Sequence, residues 1–491
     1  MSNETLHQLA RRAGLLVDWI DASDKPQRVS DESLRRILDA LDFPCATETE
    51  AARSLQESSA NTARPGLVTG EVNALVLLPG VRENRARLML ENGTQEEARL
   101  DKSASGGASL RVSRPGYHKL EFSNRIIKLA VAPKRCLTLE DVGHGAKLWG
   151  LAVQLYGLRR PGDAGIGDTS ALTALGKSAA ARGADAIAIS PTHALFAGRP
   201  DKFSPYAPSN RLLLNPLLAG VDALLDGRSL DVDATFDNST SLIDWPAATA
   251  RKTALLRVPF ESFFQRDDDD ELVRDFRMFR QTSGDVLESH ARFEAIHAHI
   301  IAHDPSNSGW RTWPQEFSSP NKPAVAAFAA SHTREVTFHA FLQWLADRAF
   351  GKAQTDMREA GMRIGLIADL AVGMESGGSY VWAHQHETLS PLTVGAPPDL
   401  FNQQGQNWGL TTFSPRALIE HDFEPFLATL RSAMRHAGGI RIDHILGLKR
   451  LWVIPEGVPS SEGAYLNYPF DDLLRLIRLE SMRQRAIVIG E

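Results

Sequence analysis

The sequence predicts an α/β fold: a (β/α)8 TIM-type barrel truncated after about its fifth strand, preceded by a small helical module and a β-sandwich. After residue 148, apolar strands alternate with amphipathic helical stretches that close on glycine. Before residue 135, the apolar spacing is first that of helices and then that of short strands. Alternating helices and buried strands favour a parallel sheet, and the change of pattern favours separate N-terminal modules.

The first module covers residues 1–60 and is predicted to be helical. Residues 4 to 42 have helical spacing, and Ser30 is placed as an N-cap. The apolar positions after Ser30 recur every three or four residues, at Leu34, Ile37, Leu38 and Leu41. A small helical domain therefore opens the chain.

The second module covers residues 61–137 and is typical of a β-sandwich. Its apolar runs are short, and one alternating run ends at the dipeptide Asn92-Gly93, a strong hairpin signal. The runs Tyr117 to Phe122 and Ile126 to Val131 continue the strand pattern.

The third module, residues 138–491, contains five predicted strands: Gly150 to Leu155, Ala186 to Ile189, Ile364 to Leu370, Ile440 to Ile442 and Ala486 to Ile489. Long insertions, and the absence of a Gly-rich phosphate loop after the first strand, disfavour a doubly wound sheet and favour a partial (β/α)8 barrel. A mostly helical insertion covers about residues 220–335. Its acidic run Asp267 to Asp270 could bind a cation, but such runs are usually solvated loops.

The composition argues against several classes of function. The 491 residues, enough for two or three domains, carry 54 Lys and Arg against 60 Asp and Glu, and this net charge of −6 disfavours nucleic acid as a partner. The two cysteines, Cys45 and Cys136, cannot form a disulfide framework or a four-ligand zinc site. The sequence shows neither a signal peptide nor an apolar run of about 18 residues that could span a bilayer. We therefore expect a cytoplasmic protein with no membrane partner, whose oligomeric state the sequence leaves open.

Three predicted barrel strands end in a carboxylate: Asp369, Asp443 and Glu491. One such residue usually only caps the following loop, but three on consecutive strands favour a site, since the C-terminal ends of barrel strands face the active centre. Cleavage of a glycosidic bond needs one carboxylate that attacks the anomeric carbon and one carboxyl that protonates the leaving oxygen. Acids at one rim of a barrel can supply both.

Arg441 precedes Asp443 by two residues, so the alternation of a strand puts both side chains on one face. A guanidinium in that position is expected to keep Asp443 ionised and to lower its pKa, as a nucleophile requires. An ordinary buried ion pair explains the same spacing equally well. His444 is weaker evidence, because lone histidines usually satisfy local hydrogen bonds.

Several segments together resemble the amylomaltases, 4-α-glucanotransferases of glycoside hydrolase family 77 in the α-amylase superfamily. The resemblance covers residues 148 to 491 and includes LAVQLYGLRRPGDAGIGD, FSPYAPSNRLLLNP, IADLAVG, VGAPPDLFNQQGQNWGL, GGIRIDHILGL, GAYLNYPFDDL and VIGE. Residues 1–135 resemble, less specifically, the extra helical and β modules of longer bacterial members. The resemblance implies transfer of α-1,4-glucan segments between maltooligosaccharides or to glucose, with no metal or organic cofactor.

The resemblance also implies a role for each matching residue. Asp443 is the expected nucleophile, Glu491 the general acid/base and Arg441 their electrostatic support. The expected sugar-contacting residues are Asp369, Ser204, Tyr206, Gln406, Trp408 and His444. Aromatic faces pack against pyranose rings and amides bind sugar hydroxyls, which fits these residue types, although Tyr206 or Trp408 alone would more often belong to a core.

Two departures from the family pattern bear on these expectations. Thr411-Thr412 stand where the family commonly has prolines, which changes the expected stiffness of that loop. The family also continues through three further strands and a third catalytic Asp preceded by His. We therefore expect the 491 residues to be a truncated chain with negligible transferase activity of its own. The alternatives are a hydrolase of the same superfamily and an inactive or glucan-binding fragment.

Overall fold

The computed structural model describes residues 3–60, 66–103, 106–221, 242–307 and 309–491. Part of the predicted insertion, residues 222–241 and 308, lies outside the described residues. The chain divides into two compact units. Unit 1 comprises Met1–Leu137, His386–Leu430 and His444–Arg485, and unit 2 comprises Thr138–Gln385, Arg431–Asp443 and Ala486–Glu491. Unit 1 thus contains two segments that the sequence-based division assigns to the barrel.

Unit 1 begins with three helices and a small hairpin: α1 (Glu4–Arg12), β1 (Asp18–Ile20), β2 (Pro26–Arg28), α2 (Asp31–Ala40) and α3 (Glu48–Ala60). The predicted N-cap is confirmed, since the Ser30 hydroxyl accepts a hydrogen bond from the Ser33 N–H at the start of α2. The prediction of helix throughout residues 4 to 42 is wrong, because the antiparallel pair β1 and β2 interrupts it.

The predicted β-sandwich is also found in unit 1. Its strands are β3 (Leu67–Glu71), β4 (Leu75–Leu78), β5 (Arg85–Met89), β6 (Gln95–Arg99), β7 (Asp101–Lys102), β8 (Ala108–Arg111), β9 (Gly116–Glu121) and β10 (Ile126–Ala132). One sheet has the order β3-β10-β9-β5-β6 and the other the order β4-β8-β7. Apolar side chains from both sheets, among them Val76, Leu110 and Leu129, form one buried core.

The chain from residue 138 onward alternates helices with short strands. The helices are α4 (Leu139–Gly143), α5 (Thr169–Ala180), α6 (Trp245–Phe263), α7 (Glu271–His303), α8 (Pro323–Ser331), α9 (Thr333–Glu359), α10 (Ser379–Ala383), α11 (Pro415–Glu420), α12 (Glu424–Met434) and α13 (Phe470–Gln484). The strands are β11 (Gly150–Val153), β12 (Ala186–Ile189), β13 (His193–Ala194), β14 (Asn210–Leu214), β15 (Gly365–Leu370), β16 (Met374–Glu375), β17 (Thr393–Ala396), β18 (Gln406–Thr411), β19 (Gly439–Ile442), β20 (Arg450–Ile454), β21 (Ala464–Asn467) and β22 (Ile487–Gly490).

A parallel sheet of five strands organises unit 2. Its order is β11-β12-β15-β19-β22, and every neighbouring pair is parallel. These are the five strands predicted from the sequence, and each lies beside its predecessor, as in a barrel and unlike a doubly wound sheet. Apolar side chains of the sheet and of α5 and α9 share one core, which includes Ile187, Leu366 and Met357.

Local chemistry fixes the ends of these elements. Asp168 caps α5, with its carboxylate accepting from the Ser170 N–H at 3.1 Å, and the buried Lys252 ammonium lies 2.7 Å from the same carboxylate. Gly438, before β19, is needed because a Cβ there would clash with the Ile364 carbonyl. This close approach explains why a glycine stands directly before β19.

The later segments of unit 1 form a structure that the sequence did not predict. Strands β18, β17, β20 and β21 make an antiparallel sheet in that order. Trp19 of β1 packs edge-on against Trp452 of this sheet, with ring centroids 5.1 Å apart. Helix α13 packs on the sandwich, where the Tyr117 hydroxyl donates to the buried Glu480 carboxylate at 2.6 Å. These contacts explain why residues 386–430 and 444–485 belong to unit 1.

Residues of the acidic run Asp267 to Asp270 cap helix α7 and form ion pairs at its start. Asp270 is the N-cap of α7 and pairs with Arg266, while Asp268 pairs with Arg277. Among the described residues, no three His, Cys, Asp or Glu side chains are grouped so that they could hold a metal ion. None of the described helices is long and apolar enough to cross a membrane.

Candidate active site

The three predicted carboxylates lie at the C-terminal ends of neighbouring strands in unit 2. Asp369 is the penultimate residue of β15, whereas Asp443 directly follows β19 and Glu491 directly follows β22. In the sheet register, Arg441 of β19 pairs with Asp369 on one side and with Ile489 on the other. Asp369 and Glu491 are 122 positions apart in the sequence. The parallel pairing of the strands brings both to the same edge of the sheet.

The Arg441 guanidinium contacts all three carboxylates. Its Nη1 donates to Asp369 Oδ1 at 2.6 Å, and its Nη2 lies 3.3 Å from Asp443 Oδ1 and 3.4 Å from Glu491 Oε2. Because these last two oxygens share one nitrogen, they can be no farther apart than the sum of the two distances, 6.7 Å. The site thus holds the predicted nucleophile and the predicted acid/base close together.

Tyr206 completes the environment of Asp369. Its hydroxyl donates to Asp369 Oδ2 at 2.8 Å, so each oxygen of this carboxylate has a donor. Burial and the Asp369 carboxylate raise the pKa of Tyr206 to about 12, so the phenol keeps its proton at physiological pH. The Tyr206 ring remains 37% exposed. Ser204, two residues earlier, is exposed, and its carbonyl accepts from the Ala207 N–H.

Burial raises the pKa of Asp443 above its ordinary value, and the neighbouring carboxylates act in the same direction, while Arg441 lowers it. Burial likewise raises the pKa of Asp369, against the hydrogen bonds from Arg441 and Tyr206. The expectation that Arg441 leaves Asp443 with a lowered pKa is therefore wrong. The guanidinium acts in the expected direction, but loss of hydration outweighs its attraction.

The other three predicted sugar-contacting residues lie together in unit 1. The Trp408 Nε1 donates to Gln406 Oε1 at 3.1 Å, and the Trp408 ring packs edge-on against His444 at 5.2 Å. Gln406 is exposed and Trp408 half-buried, so Trp408 is not a core residue. Thr411 and Thr412, the departures from the family pattern, are both buried.

Two buried polar residues of unit 2 were missed by the sequence reasoning. His193 and Arg211 are each 5% exposed and bond to the backbone of residues 371–372, just after Asp369. A weak signal was available, because Arg211 stands beside the apolar run Leu212 to Leu214, where a charged residue needs a buried partner.

A parallel α/β sheet whose strands end in carboxylates around one guanidinium is an arrangement suited to enzymes that act on glycosidic bonds. The comparisons with known proteins narrow this class. The family model of 4-alpha-glucanotransferases, glycoside hydrolase family 77, matches residues 153–491. Because this is most of the chain, the protein belongs to that family. Its activity is that of a 4-alpha-glucanotransferase, which makes it an enzyme of the transferase class.

Relatives and solved structures agree with this assignment. A 4-alpha-glucanotransferase of Mycobacterium tuberculosis is 33% identical over 99% of this chain and 72% of its own length. That of Haemophilus influenzae is 32% identical over 77% of this chain and 57% of its own length.

Among solved structures, the amylomaltase from Corynebacterium glutamicum is similar over 100% of this chain and 72% of its own, with a TM-score of 0.80 and 28% identity. The amylomaltase from Streptococcus agalactiae in complex with acarbose, at 18% identity and a TM-score of 0.59, shows likeness of fold alone.

Proposed function

We propose that the protein transfers α-1,4-glucan segments between maltooligosaccharides, or to glucose, by retaining double displacement. The observation that carries this proposal is the shared Arg441 nitrogen, which limits the separation of the nearest Asp443 and Glu491 oxygens to 6.7 Å. Retaining glycosidases hold their two carboxyl groups about 5–5.5 Å apart, whereas inverting ones leave about 6.5–9.5 Å for a water. Oxygens this close are compatible with the retaining arrangement.

In the proposed reaction, Asp443 attacks the anomeric carbon while Glu491 protonates the departing glucan oxygen. The bond from the anomeric carbon to that oxygen breaks, and a glycosyl ester of Asp443 forms. Glu491, now ionised, then accepts the proton of an incoming sugar 4-OH, which attacks the same carbon and releases Asp443. Arg441 holds both carboxyl groups, and no metal or organic cofactor is needed.

The sugar is proposed to contact Asp369, Ser204, Tyr206, Gln406, Trp408 and His444. The 37% exposed Tyr206 ring and the half-buried Trp408 ring offer apolar faces for pyranose rings.

We further propose that the parallel sheet of unit 2 is part of a (β/α)8 barrel. The strand order and the carboxylates at one edge support this assignment.

The test of the proposed nucleophile is Asp443→Asn, with exposed Asp471→Asn as the matched control. The amide keeps the shape of the side chain but cannot form the glycosyl ester, so Asp443→Asn should abolish maltotriose disproportionation while maltooligosaccharides still bind. A loss of only a few-fold in kcat would show that Asp443 is not the nucleophile.

Product analysis separates transfer from hydrolysis. Maltotriose should give longer oligosaccharides together with glucose, whereas glucose and maltose alone would identify a hydrolase. Trapping with a slowly reacting glucosyl donor that carries fluorine on its ring should add the mass of one fluorinated glucosyl group to the peptide that contains Asp443. Absence of this adduct in an enzyme that the donor inactivates would contradict double displacement.

A further inference from the structure

Two buried polar side chains hold the backbone that follows Asp369. His193 lies in β13 and Arg211 in β14, and both are 5% exposed. The Ala371 N–H donates to His193 Nε2 at 3.4 Å. The Arg211 Nη1 donates to the carbonyls of Ala371 and Val372, each at 3.0 Å. Three consecutive peptide groups of this short segment are therefore held from the side of β13 and β14.

The protonation state of His193 suits this contact. Burial and the charge of Arg211 lower the pKa of His193 to about 3, so the imidazole is neutral at physiological pH and its Nε2 can accept a hydrogen bond. A hydrogen bond to the Arg211 backbone engages the same ring. His193 and Arg211 thus act on the segment together.

The same segment contacts Asp443 with its other groups. The Asp443 N–H donates to the Leu370 carbonyl at 3.1 Å. The Val372 N–H donates to the Asp443 carboxylate, and this hydrogen bond lowers the pKa of Asp443. Residues 370–372 therefore touch both the backbone and the carboxylate of Asp443.

We propose that His193 and Arg211 are positioning residues for the Asp443 carboxylate, which they act on through the peptide groups of Ala371 and Val372. Because His193 and Arg211 fix those peptide groups, they also fix the direction of the Val372 N–H. The Val372 N–H in turn orients the Asp443 carboxylate for attack on the anomeric carbon. The inference rests on the proposed role of Asp443 as nucleophile. It adds two residues that do not touch the sugar but control the group that does.

The chemistry of the contacts favours positioning over simple packing. A buried guanidinium is costly unless it is paired, and apolar side chains of similar volume often stabilise such places as well or better. A guanidinium nitrogen can donate to two carbonyl oxygens at once and so fix their positions, whereas an apolar side chain cannot. The carbonyls held here belong to the segment that donates to Asp443.

The first test compares His193→Gln with His193→Asn. The longer Gln side chain places its carbonyl oxygen near the position of Nε2 and can still accept from Ala371, whereas Asn reaches only to the position of Nδ1. We expect His193→Asn to lower kcat about tenfold to a hundredfold, since small misplacements of catalytic groups have effects of that size. KM should stay within about twofold, and His193→Gln should keep most of the activity, because the sugar contacts are unchanged.

The second readout is the acid limb of the dependence of kcat/KM on pH. Because the Val372 N–H lowers the pKa of Asp443, a poorly aimed N–H should move this limb to higher pH in His193→Asn and in Arg211→Met. A residue that only packs would change stability without moving the limb. Equal losses in His193→Asn and His193→Gln with an unmoved limb would overturn the proposal.

A third comparison, Val372→Pro with Val372→Ala, avoids the buried residues in case their variants do not fold. Proline removes the N–H donor, whereas alanine keeps it. Val372→Pro should lower kcat and move the acid limb to higher pH, whereas Val372→Ala, which keeps the N–H, should leave the acid limb where it is. Identical acid limbs in the two variants would refute the proposal. Asp443→Asn, assayed in parallel, separates the two failures: full activity there would refute the proposed function, whereas inactivity combined with unmoved limbs would refute only the positioning role.

Discussion

Replacing Arg441 by methionine removes the guanidinium that contacts Asp369, Asp443 and Glu491. Methionine keeps the length of the side chain but neither its charge nor its donors. We expect kcat/KM for maltotriose to fall about 10²-fold to 10³-fold, the usual effect of losing one preorganised electrostatic contact. The acid limb of the pH profile should also move to higher pH, since Arg441 lowers the pKa of Asp443.

The same substitution should destabilise the fold, by an amount that depends on pH. The Asp369 side chain is 5% exposed, and removing one partner of a buried pair costs about 3–5 kcal/mol. Tyr206 still donates to Asp369, and Asp369 can take up a proton, so we expect a loss of about 3 kcal/mol at pH 7. Because the pKa of Asp369 would rise further above its value in the unfolded chain, the folded state would bind the additional proton. Stability should therefore fall as pH rises, and the loss should be smaller at pH 5.

The assay combines maltotriose disproportionation with urea unfolding at pH 5 and pH 7. Arg416→Met is the matched control, because Arg416 is 54% exposed and pairs only with Glu420 on its own helix among the described ion pairs. Such a surface pair contributes about 0.3–0.5 kcal/mol. If Arg441→Met kept activity within about threefold, or lost equal stability at both pH values, this account of the guanidinium would be refuted.

Three further predictions concern single side chains. Tyr206→Phe removes the donor to Asp369 and should lower kcat/KM about tenfold to a hundredfold, given about 1.5–3 kcal/mol for a hydrogen bond to a charged group; unchanged kinetics would contradict this. Trp408→Ala should raise KM or weaken glucan binding, measured by calorimetry, whereas unfolding without a change of affinity in the folded fraction would indicate a structural role. Burial raises the pKa of Glu294 from the ordinary value of 4.5 to about 8, so the stability that the protonated side chain contributes should fall between pH 4.5 and pH 8. Glu294→Gln should remove about 2 kcal/mol of that dependence over the part between about pH 6.5 and pH 8, measured in urea titrations. If the free energy of unfolding depended on pH in the same way in Glu294→Gln and in the wild type, the assigned pKa of Glu294 would be contradicted.

The parts of the fold that were predicted from the sequence have local signals. The five parallel strands are buried runs next to glycine, and the Ser30 cap stands directly before an amphipathic helix. The hairpin of β1 and β2 was missed because strands of three residues are too short to show a period of two. The sheet of β17, β18, β20 and β21 was missed because its strands lie in segments interrupted by glycine and proline, and because its central pair, β17 with β20, joins distant parts of the sequence.

The three carboxylates of the candidate site could be predicted from the sequence, but their hydrogen bonds and their burial could not. Strand ends in a parallel sheet meet at one edge, so Asp369, Asp443 and Glu491 follow from the fold class. The hydrogen bond from Tyr206 to Asp369 joins residues 163 positions apart, and nothing in the spacing predicts it. The direction of the Asp443 pKa shift also depends on burial, which only the packed structure reveals.

The excess of negative over positive groups at this edge has a consequence for the proposed reaction. One guanidinium faces three carboxylates, and burial already raises the pKa values of two of them, Asp443 and Asp369. Arg441 therefore balances only part of the negative charge at this edge. The transition state of glycosidic cleavage resembles an oxocarbenium ion and brings a positive charge to the anomeric carbon. An interaction accelerates a reaction when it is stronger in the transition state than in the ground state. Carboxylates whose charge Arg441 only partly balances attract the positive charge as it develops, so they stabilise the transition state more than the bound substrate.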